Sequence, residues 1–172
     1  MGDHLYVARY LLMRVAEEYG LIISFDPKIF KEWNGSGCHT NFSTETMRAG
    51  TGEMKYIEDM MSKFSANHQL HLKLYGAGND KRLTGEHETS SMTEFSFGCG
   101  NRAASFRIPT AVVAANGKGY IEDRRPASNI DPYIVSSIIF DTGVLEESKA
   151  ETMVSHYLEW ANWLETAVIE TP

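Results

Sequence analysis

Cysteine is scarce in this chain, with only Cys38 and Cys99 among 172 residues. Two cysteines without paired spacing argue against a secreted domain held together by disulfides and favour a reducing compartment. The N-terminus has neither the basic start nor the apolar segment of a signal peptide. We therefore expect a cytoplasmic protein.

Long apolar runs and an excess of positive charge are also missing. No stretch approaches the roughly 18 consecutive apolar residues of a membrane span, so we expect no membrane insertion. The net charge of −7 argues against nucleic-acid binding as the main function. There is no internal repeat or low-complexity tract. With 42% hydrophobic residues, the composition predicts one globular domain with a core.

The spacing of apolar residues predicts a mixture of helices and strands. Helical periodicity is found over residues 3–19, 52–64, 65–75 and 132–145, and again after residue 146. Strand-like segments are found at residues 21–25, 38–43 and 95–108, and within 118–132. These elements predict an α+β fold, in which a curved, mainly antiparallel sheet carries helices on its outside.

The segment over residues 118–132, KGYIEDRRPASNIDP, carries an unusual charge pattern. If it is extended, Glu122 and Arg124 share one face with Tyr120, whereas Asp123 and Arg125 lie on the other. A carboxylate beside a guanidinium suits a metal bridged to phosphate oxygens next to a clamp for a carboxylate substrate. An ordinary surface strand with neutralising charges is the alternative for this segment alone.

Two further segments could complete a site. Gly35 and Gly37 precede a strand in which His39, Asn41 and Ser43 share a face, so a ligand could approach the backbone closely, although a plain hairpin turn is the alternative. The polar loop over residues 76–91 is long enough to form a flap.

A pair of arginines and a pair of histidines lie in other predicted elements. Arg102 and Arg107 lie on opposite faces of a regular strand, so joint action on one ligand requires a turn or bulge, for which Asn101 is suited. His68 and His71 are three residues apart on a predicted helix, with no third metal ligand nearby in the sequence. We therefore interpret these histidines as structural or solvated.

Four segments together resemble the catalytic domain of glutamine synthetase of the eukaryotic type. They are NGSGCHTNFST (34–44), RLTGEHETS (82–90), NRAASFRIP (101–109) and GYIEDRRPASNIDPY (119–133). The first residues and ISFDPK (23–28) look like the lead-in of the same family. The resemblance covers residues 1–145, the C-terminal portion of that domain, and leaves 146–172 as a divergent helical tail.

The resemblance implies the ATP-dependent ligation of ammonia to L-glutamate, forming L-glutamine through a γ-glutamyl phosphate. ATP and Mg²⁺, or Mn²⁺, would be required, and the full-length family form implies a homo-oligomer. Bringing two anions together requires positive charge and the exclusion of water.

The resemblance also implies roles for individual residues. It assigns the metal to His39 and Glu122. It assigns ATP to Asn41, Phe42, Ser43, Arg102, Arg107, Tyr120, Ile121 and Glu122. It assigns glutamate to Trp33, Asn34, Gly35, Arg82, Arg102 and Arg124. Glu88 resembles the flap carboxylate that accepts a proton from bound ammonium, and Arg82 and Arg102 join it as catalytic candidates.

The same resemblance implies that this chain is incomplete as a catalyst. Family members carry a β-grasp domain and further strands upstream, and these supply additional metal-binding carboxylates. Two metal ligands are too few for a stable bimetal site, so we expect little synthetase activity from this chain alone. One alternative is a non-catalytic module or remnant that binds a full-length partner. A phosphotransferase resembling the guanidino kinases is another, although Arg82, Glu88 and Arg124 favour the ligase.

Overall fold

The computed structural model describes residues 1–169, which form helices around one small sheet. The helices are α1 Gly2–Glu18, α2 Glu45–Ala49, α3 Glu53–Ala66, α4 His68–Leu74, α5 Thr110–Ala114, α6 Pro132–Val144 and α7 Ala150–Ile169. The strands are β1 Thr40–Phe42, β2 Phe97–Cys99, β3 Phe106–Ile108 and β4 Ile121–Asp123. One 3₁₀ turn spans Asn79–Lys81.

The strands form one open sheet in the order β1-β4-β3-β2. β4 pairs antiparallel with both β1 and β3, while β2 pairs parallel with β3. The α+β fold with a mainly antiparallel sheet and outer helices is therefore confirmed. Asn41 lies opposite Glu122, and Glu122 lies opposite Arg107, so these three residues form one row across the sheet. Directly opposed residues share a face, and this row gives the sheet a polar face.

The other face of the sheet packs on the helices. Phe106 and Ile121 are fully buried there, together with Ile57 and Phe64 of α3. The Phe64 and Phe106 ring centroids are 4.6 Å apart. Burying a side chain of this size contributes roughly 1.5–3 kcal/mol, so this layer fixes the sheet and holds the polar row in place.

Helix α6 shows how local sequence sets an element. The Asp131 side chain accepts hydrogen bonds from the backbone N–H groups of Tyr133 and Ile134, and Pro132 occupies the first turn, where no backbone donor is needed. The predicted helix over 132–145 is confirmed, as are α1, α3 and α4. α2 and α5 were not predicted, because each is only five residues long.

The predicted strand over residues 21–25 is wrong. The segment is irregular, Ile22 is 96% exposed and Leu21 is 62% exposed. A buried strand requires a neighbouring strand, and none of the four strands within residues 1–169 pairs with it. The preceding helix α1 also keeps much apolar surface, since Val7, Leu11 and Val15 are each more than half exposed.

Helix α7 follows the segment that resembles the family. Its Ala150 and Val154 are buried, and the helix packs against α4 and α6. The boundary at residue 145 stays a prediction, and residues 170–172 of the expected tail lie outside the described residues. Within residues 1–169, no helix combines the length and apolar character needed to cross a membrane.

Candidate functional site

Glu122 is the centre of the polar row. Its Oε2 accepts a hydrogen bond from Arg107 Nε, and its Oε1 lies 3.1 Å from Arg124 Nη1 and 3.0 Å from His39 Nδ1. Burial raises the pKa of Glu122, but the hydrogen bond from Arg107 and the charges of Arg124 and Arg107 outweigh burial and hold that pKa below its ordinary value. The carboxylate is therefore ionised at neutral pH and shared between two guanidinium groups.

His39 immediately precedes β1 and lies beside this carboxylate. Burial lowers its pKa, and the charges of Arg124 and Arg82 lower it further, so the imidazole is neutral at pH 7. The short contact to Glu122 places the proton on Nδ1. Nε2, which is 3.4 Å from Arg82 Nη2, then keeps its lone pair. His39 thus adds no charge to the cluster.

Arg82 lies beneath the site. Its guanidinium donates to the carbonyl of Arg124 at 2.7 Å, to the carbonyl of Arg125 at 3.1 Å and to Asn79 Oδ1 at 3.0 Å. Burial lowers its pKa to about 10, and the neighbouring charge of Arg124 acts in the same direction. Arg82 is still charged at neutral pH, and its bonds fix the backbone that follows β4.

The two glycines before β1 make room for Arg82. A Cβ on Gly35 would come within 2.7 Å of Arg82 Cγ, and a Cβ on Gly37 would come within 2.9 Å of His39 Nε2. The sequence allowed a ligand to approach this backbone, with a plain hairpin turn as the alternative. The structure places the Arg82 side chain against both glycines.

The flap predicted from the loop over 76–91 lies at the rim of the site. Arg124 Nε donates to the carbonyl of Arg102 at 2.9 Å, and Arg124 Nη2 lies 3.4 Å from the carbonyl of Glu88. The exposed side chains of Arg102 and Glu88 are 3.8 Å apart. His87 and Glu88 both have positive φ angles, 52° and 59°, which is an uncommon backbone for such residues. The segment that carries Glu88 is therefore held in a restricted geometry next to the arginines.

The predicted ATP residues divide between the two faces. Asn41 and Arg107 flank Glu122 in the row. Ile121 is fully buried, and the partly buried Phe42 packs against the core, so both side chains lie on the helix-facing side of the sheet. Ser43 donates to the carbonyl of Gly119 at 2.6 Å.

The remaining predicted residues lie near the surface. Tyr120 is exposed immediately before β4. Trp33 and Asn34 are exposed in the loop before β1, so they are not enclosed with the cluster.

A second polar cluster lies on the buried side of β4, and sequence reasoning missed it. Asp123 accepts two hydrogen bonds from the guanidinium of the fully buried Arg125, from Nε at 2.9 Å and Nη2 at 2.8 Å. It also accepts one from the backbone N–H of Arg125 at 3.1 Å and one from the Tyr75 hydroxyl at 2.7 Å. His71 joins Tyr75 to Thr142, and His68 Nδ1 lies 2.9 Å from Arg125 Nη1. The alternation of side chains along this segment was the one sequence feature that pointed to the cluster, because it put Asp123 and Arg125 together on the face away from Glu122.

This buried cluster supports the polar row. It connects β4 with α4 through Tyr75 and His71, and with α6 through Thr142. A buried charge is stable only when it is paired and hydrogen-bonded, so these contacts fix Asp123 and Arg125, the two residues that flank Arg124. His68 and His71 are therefore structural, as the sequence indicated.

The residues present do not by themselves fit a magnesium or manganese site. His39 and Glu122 are adjacent, but within residues 1–169 no group of three or more His, Cys, Asp or Glu side chains is arranged to hold a metal. Magnesium requires near-octahedral oxygen ligation. Here one carboxylate is already shared by two guanidinium groups. The arrangement attracts anions more readily than cations.

The family model described as glutamine synthetase, catalytic domain, matches residues 1–147. Among curated proteins, the chain is 61% identical over 143 residues to a glutamine synthetase of Saccharomyces cerevisiae, covering 83% of this chain and 38% of that protein. It is 60% identical over 151 residues to a glutamine synthetase of Candida glabrata, and this match covers 86% of this chain and 40% of that protein. It is 57% identical over 148 residues to a glutamine synthetase of Agaricus bisporus, and this match covers 86% of this chain and 41% of that protein. The chain thus spans about two fifths of the length of these curated relatives.

Proposed function

The chain belongs to the glutamine synthetase family, and from this membership we propose that it takes part in the ATP-dependent ligation of ammonia to L-glutamate. The observation that carries the proposal is the side-chain cluster around Glu122, in which Arg107 and Arg124 meet this carboxylate beside His39. A reaction between anions needs such a concentration of guanidinium groups, and the net charge of −7 shows that positive charge is not general in this chain.

The proposed reaction has two steps. The γ-phosphoryl group of ATP is transferred to the side-chain carboxylate of glutamate, and ADP leaves. Ammonia then attacks the acyl carbon, the bond to phosphate breaks, and glutamine and inorganic phosphate are released. Positioning and charge stabilisation account for most of the catalysis in phosphoryl transfer.

The arginines would supply that stabilisation. We assign Arg107 and Arg102 to the phosphates, together with Asn41, Ser43 and Tyr120. Arg124 would hold the glutamate near the loop that contains Trp33. Arg82 would act through Arg124, because its own donors already bind protein carbonyls.

Glu88 is the proposed general base. Its position on the rim of the site, 3.8 Å from Arg102, supports this assignment. A carboxylate there accepts a proton from ammonium and releases ammonia for attack.

We assign a divalent cation to His39 and Glu122, which supply two donors and do not by themselves complete its site. A homo-oligomer and a cytoplasmic location also belong to the proposal. The apolar residues exposed on α1 support assembly, which sedimentation velocity at two protein concentrations would detect.

A γ-glutamyl hydroxamate assay with ATP, magnesium, L-glutamate and hydroxylamine tests the proposed activity. We expect slow hydroxamate formation that requires both ATP and glutamate. The Arg124→Gln variant should lower the rate by about 100-fold, because one charge-stabilising donor is lost. Arg14→Gln, at an exposed position on α1, is the matched control and should leave the rate unchanged. Absence of hydroxamate in the unmodified protein would contradict catalysis by this chain and favour a non-catalytic module.

A further inference from the structure

Helix α1 presents an unusually large apolar surface to solvent. Its buried residues are Gly2 and Ala16, so most of the helix faces away from the core. The apolar residues that remain exposed on α1 and directly after it are Val7, Tyr10, Leu11, Leu12, Val15, Tyr19, Leu21 and Ile22. Apolar side chains carry on the order of 100–200 Å² each, so this set exposes on the order of 500–1,000 Å². A stable interface buries about 800 Å² of each partner.

One stripe of α1 is symmetric about Leu11. The residues His4, Val7, Leu11, Val15 and Glu18 follow one another at intervals of three, four, four and three, so they share one face of the helix. The two valines lie at equal distances from Leu11, and the histidine and the carboxylate occupy the two ends. All five side chains are exposed. The stripe therefore has the same spacing in both directions and complementary groups at its ends.

Such a stripe is complementary to a second copy of itself. In two antiparallel copies related by a two-fold axis at Leu11, Val7 of each copy faces Val15 of the other. The imidazole N–H of His4 can then donate to the carboxylate of Glu18 of the second copy, once at each end. Within residues 1–169, the salt bridge on this helix joins Arg14 to Glu17 and leaves Glu18 to accept. Two-fold interfaces use one surface twice in this way.

We infer that this chain forms a two-fold symmetric dimer by antiparallel pairing of α1 with α1 of a second copy. Apolar spacings of three and four residues are typical of helices that cross at about 20°. The exposed area, the symmetry about Leu11 and the complementary ends favour a second copy as the partner, because it supplies the same stripe in reverse order. The inference rests on the homo-oligomer of the proposed function and names its interface. It does not depend on ligase activity.

Sedimentation velocity over a range of protein concentrations tests the dimer. We expect the unmodified protein to sediment as a dimer at micromolar concentration. Leu11→Arg should weaken dimerisation by about 100-fold, because two like charges would meet at the axis. Val144→Arg, at an exposed apolar position on α6, is the matched control and should leave the dimer unchanged. Circular dichroism melting of both variants shows that a loss of dimer is not a loss of fold.

Charge reversal tests the antiparallel register. His4→Glu should weaken the dimer by about tenfold, because the new carboxylate faces Glu18 of the second copy. Adding Glu18→Lys to this variant should restore the affinity to within about threefold, since opposite charges again meet at both ends. Failure of the double variant to restore the dimer would contradict the proposed register.

Disulfide trapping tests the same register by distance. In a Cys99→Ser background, which removes the exposed native thiol, the Leu11→Cys variant should cross-link to itself on mild oxidation. The Val7→Cys and Val15→Cys variants should cross-link when they are mixed and not when either is alone. Cross-linking of Val7→Cys to itself would show parallel pairing and overturn the inference.

Each outcome separates this inference from the ligase proposal. A monomer at every concentration, or a dimer that persists in Leu11→Arg, overturns the inference, whether or not hydroxamate forms. A dimer with the expected cross-links but no hydroxamate supports the inference and contradicts ligase activity. Hydroxamate formation by a monomer leaves the ligase proposal in place without this interface.

Discussion

Alternate residues of β4 and of the segment directly after it lie in opposite environments, although each face carries one carboxylate and one guanidinium group. Glu122 and Arg124 lie at the open face, whereas Asp123 and Arg125 are fully buried behind it. Arg125 also lies over the rings of Tyr75 and Phe106, with its Cζ 5.2 Å and 4.9 Å from the two ring centroids. Ion pairing and cation–π contacts together offset the cost of burying the guanidinium.

His71 should make the stability of the protein depend on pH. Burial, aided by the charge of Arg125, lowers its pKa from 6.5 to about 3. Between these values the unfolded chain binds more protons than the folded one, so the free energy of unfolding falls as pH falls from 6.5 toward 3. Between pH 7 and pH 5 we expect His71 to account for a loss of about 2 kcal/mol. Urea unfolding at pH 7 and at pH 5 measures this loss in the free energy of unfolding.

The control for this prediction is a second histidine. His71→Gln should reduce the loss of stability between pH 7 and pH 5, whereas His4→Gln, at an exposed position on α1, should leave it unchanged. Equal pH dependence in His71→Gln and the unmodified protein would show that His71 is not held neutral by burial. The pKa values of His39 and His68 are also lowered, so part of the dependence should remain in the variant.

At the residue scale, sequence reasoning identified the members of the site but not their contacts. The alternation along β4 correctly separated Glu122 from Asp123. The contact between Glu122 and Arg107 depends on the pairing of β4 with β3, which are joined by α5 and its flanking loops, and no local pattern encodes that register. The packing of the Arg82 side chain against Gly35 and Gly37 was not predicted, because it too joins segments that are distant in the sequence.

At the scale of elements, α6 is the next element after β4 along the chain, and its first turn depends on Asp131. The carboxylate accepts from Tyr133 N at 2.8 Å and Ile134 N at 3.2 Å. Asp131→Ala should lower the free energy of unfolding by about 1 kcal/mol, because two backbone donors lose their acceptor. Asp131→Asn keeps a side-chain acceptor and should lower the free energy of unfolding much less. Urea unfolding of the two variants checks the prediction, and an equal loss in both would mean that the cap is not the cause.

Helices were predicted better than strands, and the reason is physical. The periodicity of α1, α3, α4 and α6 is a local property of the sequence, and the cap at Asp131 fixed the start of α6. Strand formation depends on a partner. Residues 21–25 have a strand-like sequence but no paired strand, and the segment 95–108 divides into β2 and β3 around a turn near Asn101. That turn was expected, whereas the parallel pairing of β2 with β3 was not.

At the scale of the whole molecule, charge and apolar surface are unevenly distributed. The chain carries a net charge of −7, yet guanidinium groups predominate at the open face of the sheet. On α1 and in the loop after it, Val7, Leu11 and Ile22 expose apolar surface. The resemblance of four segments identified the family, but the charge balance of the site emerged only from the three-dimensional arrangement.

The most direct test of the account follows the guanidinium Nε–H signals of the arginines by NMR while ATP is added. The signals are assigned with single Arg107→Lys and Arg124→Lys variants. If the open face of the sheet is the nucleotide site, Arg107 and Arg124 should shift, whereas Arg14 on α1 should not. Unchanged signals from Arg107 and Arg124, with shifts confined to the lysines around the cavity of about 440 Å³ near Lys28, Lys31 and Lys81, would place the nucleotide elsewhere and contradict the account.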